Sequence, residues 1–235
     1  MALFFINPPF SNYLNLPKTV SIKGSYTLDP RPGLLLQTIK TLRYSSDHDG
    51  WINKIGLRNK GIDWALENIN NQHIVSVAIM SEDEIPKLIH KIPKNRNIEL
   101  NISCPNAEKK MISSNLNHFL SNEREWCIIK LSPRTTDEHI DALYKEGFRQ
   151  FHCCNTIPVK EGGLSGPSLK PYTIEKIAYI KNKYPDAQVI SGGGIQNWND
   201  IEDYKKIGAD YFSASTVFFN PFKAIKLYWD YRNKE

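Results

Sequence analysis

Cys127-Ile128-Ile129-Lys130-Leu131, then residues 136–146, then Gly147, then Phe148-Arg149-Gln150-Phe151-His152-Cys153-Cys154 read as a strand, a helix, a helix stop and a second strand. The first run is nearly all apolar, as expected of a strand buried on both faces. Gly147 can take the left-handed conformation that ends a helix. The same unit recurs on both sides. Upstream lie a strand over 73–79, a helix over 81–91 opened by the capping box Ser81-x-x-Glu84, a strand over 98–101 and a helix around 110–121. Downstream come a helix over 172–183, a strand over 188–191, a helix over 197–207, a strand over 210–213 and a helix over 222–231; Pro185 and Gly208 end two of them.

Strands alternating with helices imply a parallel sheet with helical crossovers. Six consecutive units in a chain of 235 residues fit an α/β fold of the TIM (β/α)8 barrel type, typically ~250 residues. An open flavodoxin-like sheet is the alternative. The N-terminal third is less regular: a strand over 19–26, a short helix or amphipathic loop over 33–43, a polar glycine-punctuated loop over 47–57 and a helix over 61–70. No linker or low-complexity tract divides the chain, so residues 1–235 are expected to form one domain.

With 40% hydrophobic and 23% charged residues the composition is that of a soluble globular protein. The net charge of +5 is scattered rather than gathered in a tract, which argues against a nucleic-acid partner and slightly favours a small anionic ligand. Cys104, Cys127, Cys153 and Cys154 have no Cys-x-x-Cys spacing, so free thiols in a reducing compartment are expected. The apolar start at residues 1–6 lacks a basic lead and meets Asn7-Pro8-Pro9 early, and no apolar run approaches the ~18 residues of a membrane span. A cytoplasmic protein with no membrane partner is the expectation. The match of Asn101-Ile102-Ser103 to a glycosylation acceptor is then incidental.

In a barrel the chemistry collects at the C-terminal ends of the strands. The strand at 98 runs into Asn101-Ile102-Ser103-Cys104-Pro105-Asn106, two carboxamides flanking a thiol. An amide offers both a donor and an acceptor, so the pair can read the imide edge of a pyrimidine ring. Later strands end in Lys130-Leu131-Ser132-Pro133, Asn155-Thr156, Ser191-Gly192-Gly193-Gly194 and Ser213-Ala214-Ser215-Thr216, with Gly162-Gly163-Leu164-Ser165-Gly166 between two units. Glycine and hydroxyl clusters at late βα loops, facing helix N-termini, suit a phosphate. Lys130 shares a face with Ile128 and is expected to point inward.

These motifs, in order and spacing, resemble the dihydroorotate dehydrogenase family. So do Ile22-Lys23-Gly24 with Thr27 and Pro30-Arg31, residues 53–61 (Asn53 to Gly61), and Gly208-Ala209-Asp210. The resemblance covers about residues 19–225. It implies an FMN-containing (β/α)8 barrel that oxidises dihydroorotate to orotate in pyrimidine synthesis. Cys104 matches the catalytic base of the soluble, cysteine-using class. Lys23, Asn53, Gly56, Leu57, Asn101, Asn106, Asn155 and Thr156 match residues that hold the substrate. Lys23, Asn101, Lys130, Gly166, Gly193, Gly194, Ser215 and Thr216 match contacts to FMN, the last five around its phosphate. Lys23 would supply part of the field that favours a Cys104 thiolate, because a free thiol with pKa about 8.5 is only a few per cent ionised at neutral pH. Dihydroorotate or orotate is the expected small-molecule partner, with no metal, and a homodimer stays open. A non-catalytic barrel-derived binding protein, or a flavoenzyme acting on another reduced pyrimidine, are the competing readings.

The chain departs from the family in lean segments over 105–110 and 157–161, in Ala78 and Met80 where the family places Gly or Asn, and above all at its front. Lys23 follows Pro8 by only 15 residues, too few for a strand and a full crossover helix. A degenerate or absent first β/α unit is therefore expected.

Overall fold

The computed structural model describes residues 2–102 and 115–234. The described strands, in chain order, are β1 (Phe4–Ile6), β2 (Thr19–Tyr26), β3 (Arg43–Ser45), β4 (Gly50–Asn53), β5 (Ile74–Ala78), β6 (Ile98–Asn101), β7 (Cys127–Leu131), β8 (Gln150–Cys153), β9 (Ile157–Val159), β10 (Gly162–Ser165), β11 (Gln188–Gly192) and β12 (Tyr211–Ala214). The helices are α1 (Leu34–Thr41), α2 (Ile62–Asn68), α3 (Ile85–Lys91), α4 (Asp137–Lys145), α5 (Lys170–Lys183), α6 (Trp198–Lys206) and α7 (Pro221–Lys234). Eight parallel strands close a barrel in the order β1-β12-β11-β8-β7-β6-β5-β2. The fold is the expected (β/α)8 type.

Local chemistry sets the helix ends. Asn197 accepts from the backbone N–H groups of Asn199 and Asp200, and the Asp200 carboxylate reaches back to Asn197 N at 3.1 Å, which opens α6 with a complete capping box. Gly147, at φ +108°, stops α4. The box expected at Ser81 does not form. Ser81 makes no capping bond, and Glu84 Oε2 instead accepts from Met80 N at 2.9 Å. A helix starting at Glu82 would need an N–H from Pro86, so α3 begins later, at Ile85. Of the helix expected around 110–121, only its end lies within the described residues, and there the chain forms a 3-10 turn, Leu116–Phe119.

The first unit is degenerate, as its length requires. Residues 7–18 join β1 to β2 with a single 3-10 turn, Phe10–Asn12, and no α-helix. Even so β1 is present and completes the barrel, Phe4 standing opposite Phe212 on one side and Thr19 on the other. It ends at Ile6, directly before Asn7-Pro8.

The segment 47–57, expected to be a loop, holds β4. That strand pairs with β3 and, more than 100 residues away, with β10, and β9 completes a four-stranded antiparallel sheet. Alternation over four residues carries little signal when the partner strand is so distant in the chain. The small sheet is pinned to the barrel by Trp51, which stacks on Phe219 at 4.1 Å; Phe219 meets Phe10 edge-on at 4.8 Å.

Side chains alternate across each barrel strand, and the two faces bury two cores. Outside, Phe4, Val75, Val77, Ile129, Leu131, Phe151, Val189 and Phe212 pack beneath the helices, for example against Ile177, Tyr204 and Tyr231. Inside, Phe5, Ile22, Ile74, Trp126, Ile128 and Ile190 fill the lower barrel. The edge-on contacts Phe5–Trp126 (5.3 Å) and Trp126–Tyr211 (5.5 Å) close its floor.

Candidate active site

Above that apolar floor the interior changes character. The next inward position on each strand brings Asn7, Gly24, Ser76, Glu99, Lys130, His152, Gly192 and Ser213 to one level, a polar layer directly below the C-terminal rim. Glu99 is its centre and is fully buried. Its Oε2 accepts from His152 Nδ1 at 2.6 Å, and its Oε1 accepts from Ser76 Oγ at 2.8 Å and Lys130 Nζ at 3.4 Å. Burial pushes the Glu99 carboxyl up. The Lys130 and His152 side chains and two hydrogen bonds outweigh that and hold its pKa at about 2. Burial pushes His152 down, against the pull of Glu99. The arrangement is therefore a carboxylate whose counter-charge is Lys130, with a neutral imidazole donating through Nδ1.

A carboxylate only accepts, so it sets the direction of every bond that leads to it. Ser76 gives its hydroxyl proton to Glu99, and Ser25 Oγ, 2.8 Å away, gives its own to Ser76. Asn101 Nδ2 then donates to Ser25 at 3.1 Å, and Asn155 Nδ2 donates to Asn101 Oδ1 at 3.0 Å. Asn155 Oδ1 accepts from Thr156 N at 2.9 Å. Two rim amides expected to hold a ligand are thus joined, and their orientations descend from one buried carboxylate.

The glycine clusters converge beside them. Gly166, Gly193, Gly194, Ser215 and Thr216 line one cleft of about 100 Å³ with Asn7, Lys130, Asn155, Thr156 and Ser213. Among the described residues the lining holds a lysine, amides and hydroxyls but no carboxylate. Gly166, Gly193 and Gly194 have φ of +137°, +105° and +88°; a Cβ on Gly194 would lie 2.5 Å from Lys170 Cγ, and one on Gly193 would lie 3.1 Å from Leu169 Cβ and Thr173 Oγ1. Only glycine fits this cradle. The 3-10 turn Thr216–Phe219 adds its first N–H groups. Ser215 Oγ already donates to Pro8 O at 2.7 Å, so its hydroxyl is left to accept and its backbone N–H is the group suited to an anion. This donor set fits the phosphate of FMN, and Lys130 fits the electron-rich side of a flavin ring. A larger depression of about 370 Å³ lies at the opposite end of the barrel, between Arg124, Arg149 and Asp186, on the face where barrels keep stability rather than chemistry.

Asn53, on the small sheet, stands opposite Gly163, where a Cβ would lie 2.9 Å from Thr156 Oγ1, so the sheet brings Asn53 toward the rim. Gly56 and Leu57 follow in a loop held through their carbonyls, by Arg31 Nε at 3.2 Å and Asn59 Nδ2 at 2.7 Å. Lys23 is not brought to this cluster. Ile22 faces the barrel interior, so Lys23 faces out, and its ammonium donates to Ser11 O and, at 2.7 Å, to Asn15 Oδ1. It is buried by the segment that stands in for the missing first helix, and that burial lowers its pKa. Cys104 and Asn106 lie outside the described residues.

Sequence reasoning passed over Glu99, His152, Asn7 and Ser76 as site residues, and took Ser213 only as part of a hydroxyl cluster. A signal was there: Glu99 and His152 are polar residues inside strands, and Glu99 has the parity of Asn101. Without the barrel's closure nothing says that they meet.

The fold and this rim define a (β/α)8 protein whose ligand site sits at the C-terminal ends of its strands. Residues 10–227 match the family model described as dihydroorotate dehydrogenase, and the chain belongs to that family, which makes it an oxidoreductase. Among its relatives, the dihydroorotate dehydrogenase B (NAD(+)) catalytic subunit of Parabacteroides distasonis is 30% identical over 246 residues, 88% of this chain and 78% of that protein. The protein of the same description from Lachnoclostridium phytofermentans is 28% identical over 222 residues, 79% of this chain and 73% of that one. The crystal structure of a dihydroorotate dehydrogenase from Eimeria tenella in complex with ferulenol superposes with a TM-score of 0.70, covering 97% of this chain and 79% of that chain at 16% identity, a likeness of fold. Among the described residues no helix is long and apolar enough to cross a membrane.

Proposed function

We propose that this chain oxidises dihydroorotate to orotate with FMN, using Cys104 as the base. The observation that carries the reading is the junction at the rim of Asn101 and Asn155 with Lys130 and the glycine cradle, in a chain of this family. FMN bound in the cradle would supply the acceptor for the hydride that leaves C6 of the substrate.

The residues of the chain do the rest. Gly166, Gly193, Gly194, Ser215 and Thr216 hold the phosphate. Lys130 keeps a positive charge beside the ring while Glu99 anchors its ammonium from below. Asn53, Asn101, Asn106, Asn155 and Thr156 bind the pyrimidine edges, and being neutral they do so in either charge state of the ring. The Cys104 thiolate removes the proton from C5. The buried thiols Cys127, Cys153 and Cys154 are free, which supports a reducing, cytoplasmic setting.

The visible spectrum of the purified protein tests this. Flavin absorbance that bleaches on anaerobic addition of dihydroorotate is the expected result. A colourless protein that cannot be reconstituted with FMN would favour a non-catalytic barrel. A flavoprotein that bleaches only with another reduced pyrimidine would move the substrate.

A further inference from the structure

Asn7 is buried, 7% exposed, at the end of β1, and it lines the cleft together with Lys130, Asn155 and Thr216. Its backbone N–H continues the barrel ladder to Ala214 O at 3.0 Å. Its side-chain Nδ2 donates to His152 Nε2 at 3.2 Å and to Ser213 Oγ. Its Oδ1 is buried and has no hydrogen-bond partner among the described residues. A buried carbonyl oxygen without a donor is a costly arrangement that calls for an explanation.

Rotating the amide would not remove the problem. Glu99 accepts only, so the proton of the His152 ring sits on Nδ1, 2.6 Å from the carboxylate. In the neutral imidazole Nε2 is then an acceptor. Asn7 must present Nδ2 to it, which leaves Oδ1 directed away from His152 and Ser213. Gly192 makes room for the imidazole: a Cβ there would collide with His152 Nε2 and would stand 3.1 Å from Ser213 Oγ. The relay Glu99–His152–Asn7 thus fixes which end of the amide faces His152 and which end is left without a partner, in a residue that lines the cleft.

We infer that Asn7 Oδ1 is a ligand-binding acceptor that takes the imide N–H of the bound ligand, with His152 and Glu99 as its positioning residues. The inference rests on the reading of the cleft as the FMN and dihydroorotate site. An imide N–H lies between two carbonyls in the flavin ring and also in the pyrimidine ring. The Lys130 ammonium, a donor in the same cleft, complements a flanking carbonyl.

Methylated ligands test it, because methylation of N3 removes this N–H from either molecule. The apoprotein would be titrated with FMN and with 3-methyl-FMN by quenching of flavin fluorescence. The holoprotein would be titrated with orotate and with 3-methylorotate by the shift of the flavin spectrum. Wild type should bind the methylated member of one pair about tenfold more weakly or worse, the scale of one lost buried hydrogen bond. Asn7→Ala should reduce that ratio to about twofold or less in the same pair, and His152→Leu should lower it while FMN still binds. The pair that responds identifies the source of the N–H. If the alanine variant does not fold, Asn7→Ser, which can still bond Ser213, gives the same readout. Equal ratios for wild type and variants in both pairs overturn the inference and leave the proposed function standing. A wild-type protein that binds neither FMN nor orotate overturns both.

Discussion

Replacing Glu99 with glutamine should be among the most destabilising isosteric changes available in this protein. The carboxylate is fully buried, and His152, Ser76 and Lys130 all point protons at it. Glutamine keeps the volume but loses the charge and turns one acceptor into a donor facing donors. In the folded chain the Glu99 pKa falls from an ordinary 4.5 to about 2. At 1.36 kcal/mol per unit that is about 3 kcal/mol of stability near neutral pH. Breaking a buried ion pair by removing one partner costs 3–5 kcal/mol by a separate route, so the two agree in scale. For a chain of this length the loss is about 6–12 °C in Tm. Because the folded pKa is depressed, the contribution is present above about pH 4.5 and fades as the pH falls toward 2; by about pH 3 some 2 kcal/mol of it is gone. Urea denaturation of wild type and Glu99→Gln near neutral pH and at about pH 3 separates this from other carboxylates. The gap between the two proteins should shrink by about 2 kcal/mol on acidification. A variant within about 2 °C of wild type, or a gap that does not change with pH, would refute the claim that Glu99 is an anion in the folded state.

Other outcomes follow from the same geometry. Gly192→Ala places a methyl against His152 and Ser213, and should cost about 1–3 kcal/mol in chemical denaturation as the polar layer is pushed apart. Gly193→Asp puts bulk and negative charge into the cradle, so the purified protein should contain little FMN by absorbance; full occupancy would remove the phosphate assignment. Cys104→Ala should keep flavin and orotate binding while stopped-flow reduction by dihydroorotate slows about 10²-fold or more, the low end of what a positioned base contributes. An alanine variant that reduces flavin at the wild-type rate would end the role of Cys104.

Much of the barrel was legible in the chain because its determinants are local. Cys127–Leu131 and Thr19–Tyr26 are strands with the expected bounds, and the helix expected over 197–207 is α6, with Asn197 as its cap. The short link before β2 also foretold a first unit without an α-helix, since chain length limits what can cross a barrel. Asn101, Lys130, Asn155 and the late glycines declared themselves by standing at strand ends. The tertiary structure decided what strand parity and closure control. Lys23 lies one position from an inward-facing residue, and that single step turns its side chain to the outer face. Asn7, Glu99 and His152 are 53 to 145 residues apart in the chain, yet they form one relay because β1, β6 and β8 present inward positions at the same level. Composition and spacing name the residues that can do chemistry; the closed sheet, by fixing register and face together, decides which of them share one low-dielectric interior and therefore which protons point where.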